Sequence, residues 1–345
     1  MTYRRLGAIL DAGMKRAARS IAAPQTTRSR SLSAIVAGAV ALASCTLFVD
    51  TSHLGGEAPG ADGGPVLPAE SGAESEADVA TPDVVSPAGC EGAAASSTEC
   101  LAKRFPTDGL LMWLRADDGV ETTAEGRVTV WRDALPKIRP GTVGNDAKQS
   151  KSSAQPLRVT DAAGAAVAFA TDDLLELPPG FDDFTEGLSY FVAVWPQLDG
   201  IGNAGPILAL GYPTAQNDCS RVGELSIAGY GLNYRADTEA VSAAGTSDGR
   251  GWDVLSVVHE GWKSQAKCPA SGGVTLRRGD TVAKTGTVRT LTNLLRTGGT
   301  IGRSTYYPED FFYGKIGEIL VYKRALDDAQ ADQVAQYLGA RWPRP

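Results

Sequence analysis

Histidine is nearly absent from this chain. Only His53 and His259 occur in 345 residues. Such scarcity argues against His-rich metal centres and most His-dependent catalysis. The five cysteines contain no CxxC spacing, so zinc ribbons and dithiol redox chemistry have no support. A basic excess is missing too: 33 Lys and Arg stand against 40 Asp and Glu, a net charge of −7. The electrostatic footprint of a nucleic-acid binder is therefore lacking. What the chain has in quantity is Gly (40) and Pro (19), which favours many turns over a helix bundle. Hydrophobic residues at 43% and charged residues at 21% are those of a globular protein.

Charge is unevenly spread. Residues 1–44 carry +6, residues 45–100 carry −10 without one Lys or Arg, and residues 101–345 carry −3. The first block is a basic stretch followed by a short apolar run, Leu32–Ser44, ending in small residues. It reads as a secretory signal peptide. The run is shorter than the ~20 apolar residues of a membrane span. Leu42-Ala43-Ser44-Cys45 resembles the bacterial lipobox, which implies cleavage before Cys45 and its lipidation. With Thr46 rather than Asp after the cysteine, the expectation is a lipid anchor in the cell envelope, in the outer membrane.

Residues 45–100 form an acidic Gly/Ala/Pro/Ser-rich tether. Too little apolar surface is present there to offset the entropy of ordering. Residues 101–345 are long enough for one large domain. The remaining four cysteines, Cys90, Cys100, Cys219 and Cys268, make an even set in an exported chain and read as disulfides. Three pairings are possible. The favoured one joins Cys90 to Cys100 and Cys219 to Cys268.

Within the domain, short turn-bounded β-rich runs follow one another. Leu110–Leu114, Val128–Trp131, Leu157–Val159, Ala166–Phe169, Asp173–Leu177 and Leu188–Trp195 come first. Ile207–Leu210, Glu224–Ile227, Leu232–Tyr234, Asp253–His259, Val274–Arg277, Thr300–Ile301 and Lys315–Tyr322 follow. Strands without intervening helices predict an all-β sandwich. One helix is expected over 328–341, with Asp327 and Gln330 as a capping box and Leu326 and Ala331 as its hydrophobic staple. Ala331, Val334, Ala335, Leu338 and Trp342 keep a 3.6-residue period on one face.

Several of these segments resemble bacterial LamG-like domains of the concanavalin A-like lectin/glucanase superfamily. Gly109–Asp117 is similar to their opening strand, and Val128-Thr-Val-Trp-Arg-Asp133 with Asn145-Asp-Ala147 to their "W-x-D … N-D-A" segment. The most specific match is Ile301-Gly-Arg303, Phe312-Tyr-Gly-Lys-Ile-Gly-Glu-Ile-Leu-Val-Tyr322 and Arg324-Ala-Leu-Asp-Asp328. The resemblance covers about 107–342. It implies a two-sheet antiparallel jelly-roll sandwich with one C-terminal amphipathic helix. It also implies one Ca²⁺ held by loop oxygens, for which Asp172, Asp173 and Asp310, beside Glu309, are the candidates.

The Glu-x-Asp-x-x-Glu strand of glucanases on this fold does not occur, so no catalytic residue is assigned and an enzyme is not expected. Glu318 reads as a structural acid, and His259 ends a strand. Sugars stack on aromatic faces, and the aromatics in predicted loops are Tyr212, Tyr230, Trp262, Tyr306 and Tyr307. Trp113, Trp131 and Trp342 follow core periodicity. Arg278-Gly279-Asp280 spells an integrin-type tripeptide but reads first as a hairpin turn. The resulting expectation is a non-catalytic binding module. Its partner is a glycan or an envelope protein, and it meets the membrane only through the lipid. A divergent glycoside hydrolase or lyase and a purely structural envelope protein are the alternatives.

Overall fold

The computed structural model describes residues 90, 96–199, 203–213, 223–228, 230–236, 238–261, 271–291 and 293–344. Cys45, Cys219, Trp262 and Cys268 lie outside the described residues. Among the described residues there are nineteen strands: β1 (Leu110–Arg115), β2 (Val120–Thr122), β3 (Val128–Trp131), β4 (Ala147–Lys148), β5 (Leu157–Asp161), β6 (Gly164–Phe169), β7 (Leu175–Glu176), β8 (Leu188–Pro196), β9 (Gly205–Ala209), β10 (Tyr212–Pro213), β11 (Gly223–Ala228), β12 (Gly231–Ala236), β13 (Glu239–Ala243), β14 (Asp253–His259), β15 (Ser271–Arg278), β16 (Thr281–Arg289), β17 (Arg296–Thr297), β18 (Thr300–Ile301) and β19 (Gly314–Tyr322). Helices are α1 (Thr98–Leu101), α2 (Leu135–Ile138) and α3 (Asp328–Arg341).

The strands form two large antiparallel sheets, as a jelly-roll sandwich requires. One runs β16-β15-β14-β8-β19-β6-β5, with β1 also paired to β19. The other runs β13-β12-β11-β9-β18-β7-β4-β3-β2. Between them lies the main core, where Tyr190, Val192, Leu255, Val257, Ile319 and Val321 meet Leu225, Ile227, Leu232 and Tyr234. A second core lies on the outer face of the eight-stranded sheet. There Phe191, Ala193, Leu320 and Tyr322 pack under Ala331, Val334, Ala335 and Leu338 of α3. Hence β8 is buried along nearly its whole length, and its sequence is apolar on both faces rather than alternating.

Helix α3 begins and ends where the periodicity placed it. The Asp327 carboxylate accepts from Gln330 N at 2.8 Å, and the Gln330 side chain returns to Asp327 N. Under the helix, β19 carries a bulge between Ile316 and Glu318. Ile316 and Ile319 both face the main core, so the extra residue turns Glu318 outward beneath α3. Gly317 supplies the bulge, and a Cβ there would meet the Trp342 ring at 2.4 Å.

Glu318 is fully buried. Its Oε1 accepts from Trp113 Nε1 at 2.6 Å and from Tyr337 Oη at 2.5 Å. Its Oε2 accepts from Arg341 Nε at 2.9 Å and from Trp342 Nε1 at 3.3 Å. One carboxylate thereby joins β1, β19 and both ends of the last helical turn. Trp113 and Trp131 are fully buried, as their spacing predicted.

A disulfide joins Cys90 to Cys100, whose Cα atoms are 5.4 Å apart. Arg278-Gly279-Asp280 is the turn of the β15–β16 hairpin, with Gly279 at φ 59°. Two expectations need correction. Tyr212 is not in a loop but in the two-residue ladder β10–β17, too short to show alternation in sequence. Asp173 is not in a strand. It caps a turn, accepting from Ala170 N at 2.8 Å, and the strand starts at Leu175.

His259 is buried at the end of β14, with its Nδ1 3.0 Å from Tyr234 Oη. Burial pushes its pKa down to about 4, and contact with the Val288 backbone offsets this only in part. The neutral ring is the folded form. Its contribution to stability is present above the unfolded-chain pKa near 6.5 and is lost as pH falls toward 4.

Two measurements check these cores. In denaturant titrations at pH 7, Glu318→Gln should cost about 3–5 kcal/mol, because Arg341 loses its buried counter-charge. Between pH 7 and pH 4, His259→Phe should lose less stability than the wild type by up to ~3 kcal/mol. Equal acid sensitivity of the two proteins would refute the assignment.

Candidate functional site

Strands β11 and β12 place the candidate site on the outer face of the nine-stranded sheet. Their sequences alternate. Leu225, Ile227, Leu232 and Tyr234 point into the core, while Glu224, Ser226, Asn233 and Arg235 point outward. Register sets Glu224 opposite Arg235 and Ser226 opposite Asn233. Residues 197–199 with Asn203, and the segment 302–313, rise beside this face and border a cleft of about 560 Å³. Where the second crosses β9, Gly205 sits at φ 85°, and a Cβ there would lie 2.1 Å from the Phe311 carbonyl oxygen.

The wall 302–313 is folded around one hydroxyl. Ser304 Oγ accepts from the backbone N–H groups of Tyr306 (3.1 Å) and Tyr307 (3.0 Å) and donates to Glu224 Oε2 at 2.7 Å. Thr305 N also donates to Glu224 Oε2, at 3.2 Å. Glu224 is therefore the post to which this wall is tied. Burial raises its pKa. The Ser304 and Thr305 hydrogen bonds and the Arg235 charge oppose that rise, and Asp310 adds to it.

Arg235 lies against two tyrosine rings of that wall. Its guanidinium carbon is 5.6 Å from the Tyr306 centroid and 5.4 Å from that of Tyr307, and Nη1 donates to Tyr307 Oη at 3.2 Å. Stacking holds the guanidinium in place at the lining of the cleft. Among the described residues Arg235 forms no ion pair within 4.0 Å, although Asp199, Glu224, Glu309 and Asp310 line the same cleft. This set of fixed planar and hydroxyl groups is suited to recognising a polyol by many hydrogen bonds.

Of the aromatics expected to touch a ligand, the structure brings Tyr306 and Tyr307 together beside Arg235. Tyr230 is exposed in the turn between β11 and β12, away from the cleft lining. For the backbone of Tyr212 the place is β10, and Trp262 lies outside the described residues. The acids proposed for calcium do not gather. Asp310 lines the cleft, whereas Asp173 lines a different cleft at the end of β8 and Asp172 is exposed next to it. Among the described residues no group of three His, Cys, Asp or Glu converges to hold a metal, so these side chains do not fit the calcium the resemblance implied. Sequence reasoning missed Glu224, Asn233, Arg235 and Ser304. The signal was present in Glu-Leu-Ser-Ile and Asn-Tyr-Arg, where polar residues alternate with core residues on adjacent strands.

No protein-family model matches the chain, and no curated protein matches it. Solved structures similar to it include domain 4 of AbnA, an extracellular arabinanase of Geobacillus stearothermophilus in complex with arabinotriose. The identity is 17%, coverage is 66% of this chain and 98% of that one, and the TM-score is 0.42. The CBM40 of Ruminococcus gnavus IT-sialidase, bound to α2,3 sialyllactose, is 13% identical over 47% of this chain and 96% of that one, with a TM-score of 0.33. Trypanosoma rangeli sialidase in complex with the inhibitor DANA is 15% identical over 67% of this chain, with a TM-score of 0.41. The chain spans about a third of that sialidase's length, 33%.

Removing the hydroxyl that organises the wall should free it. Ser304→Ala is expected to speed amide exchange at Tyr306 and Tyr307 roughly tenfold or more, with exchange in β8 unchanged. Unaltered protection at both amides would show that Ser304 does not hold the wall.

Proposed function

We propose that this protein is a non-catalytic glycan-binding module and that the cleft over β11 and β12 takes the sugar. The observation that carries this reading is Arg235, held against Tyr306 and Tyr307 and, among the described residues, in no ion pair within 4.0 Å, beside outward Ser226, Asn233 and Glu224. Such a guanidinium donates to adjacent hydroxyls of a saccharide without having to be immobilised on binding. The lipobox-like Cys45 and the acidic segment 45–100 support a lipid-anchored protein of the envelope, displayed at a distance from its membrane.

A second reading draws on Glu224. Its raised proton affinity and its proximity to Asp310 are the properties of a general acid with a second carboxylate nearby. On that reading the cleft hydrolyses the glycan it binds.

A glycan array probed with the wild type and Arg235→Ala separates these outcomes. Binding should be seen for the wild type and weakened roughly 10- to 100-fold in the variant, the loss of about 1.5–3 kcal/mol in charge-assisted hydrogen bonds. A variant that binds as the wild type does would sink the assignment of the cleft. Reducing ends released by the wild type, and not by Glu224→Gln, would replace binding with hydrolysis.

A further inference from the structure

A second cleft of about 590 Å³ opens on the outer face of the eight-stranded sheet, beyond the end of α3. Its floor is a cross-strand row. Leu157 pairs with Ala168, Ala168 with Lys315, and Lys315 with Trp195, so all four side chains share one face. The row is rigid. Lys315 Nζ lies 4.7 Å from the Trp195 ring centroid and 2.9 Å from Asp161 Oδ2. Trp195 Nε1 donates to the Gly249 carbonyl at 3.2 Å. Leu157 is 40% exposed.

This cleft adjoins the one that holds Arg235. Gln197 and Leu198 line both. Tyr313 lines the first, and Gly314 and Lys315, the next residues along the chain, line the second. Two residues of extended chain span at most about 7 Å. The clefts are thus two rooms on either side of one short wall at the end of β8.

We infer that the second cleft is a further subsite for the same ligand, so that the protein binds an oligosaccharide of several units running past Leu198 from one sheet to the other. The inference rests on the glycan-binding reading of the first cleft. An apolar strip flanked by fixed polar groups suits the face of a sugar ring with hydroxyls at its rim. A hydrocarbon occupant fits less well. It would strip water from the Lys315 ammonium and the nearly buried Asp173 carboxylate and give nothing in return.

The test is titration calorimetry of the full chain with a panel of neutral pentose and hexose homo-oligosaccharides, two to six units long. The wild type should gain at least about tenfold in affinity between two units and the longer members, as an adjoining subsite engages. Lys315→Ala, at a half-buried position, and Leu157→Asp, at an exposed one, both checked by thermal melting, should abolish that gain and leave the two-unit affinity unchanged. Arg235→Ala should weaken all lengths. Affinity independent of length, or a gain that survives both variants, would overturn the second subsite while leaving the first cleft standing. If no panel member binds the wild type, the glycan reading and the subsite fall together.

Discussion

One sheet of this sandwich is covered on both sides. The apolar runs of β8 and β19 have no solvent face to offer, so a second layer has to lie on the eight-stranded sheet. Helix α3 supplies that layer. The nine-stranded sheet turns the polar residues Glu224, Ser226, Asn233 and Arg235 outward, and the first cleft forms over them. Where α3 stops, at Trp342 against Trp252, the cover also stops, and the second cleft begins.

Polar groups inside this frame are paired in ways that specify the layers. Glu318 takes four donors from β1, α3 and the residue that follows it, so the helix has one seating in which the carboxylate is satisfied. Arg115, 5.3 Å from the Trp113 ring centroid, plays a similar part. Its guanidinium grips Asp117 twice, at 3.1 and 2.9 Å, and donates to Thr98 Oγ1 at 2.8 Å. Burial pushes the Asp117 carboxyl up, but the Arg115 and Arg341 charges win and hold it below the usual carboxylate range. Each of these networks crosses from one element to another, and so each opposes sliding of the layers.

Much of the architecture was legible in the sequence because period and punctuation are local. The helix bounds followed from Asp327, Gln330 and the spacing from Ala331 to Trp342. Asp253–His259 and Thr300–Ile301 matched the strands found. The strands that went unread, β2, β4, β10, β13 and β17, are short or weakly apolar, and long-range pairing makes them strands. The site was harder to read. Tyr306 and Tyr307 drew attention as loop aromatics, but Arg235 had no such mark. Its importance arises from a wall about seventy residues away in the chain that folds over it through Ser304. The acids named for calcium show the same limit: Asp173 and Asp310 line different clefts, a separation that only long-range pairing decides.

The bond between Cys90 and Cys100 has a mechanical meaning. Tension arriving along the chain from its amino-terminal side passes through sulfur to Cys100, and residues 91–99 are bypassed. Thr98, which braces Arg115, lies within the bypassed loop and carries no load. A pull on that side of the chain would have to shear β1 from β19 before that brace could unravel, so the pairing of the first strand sets the force at which the domain lets go.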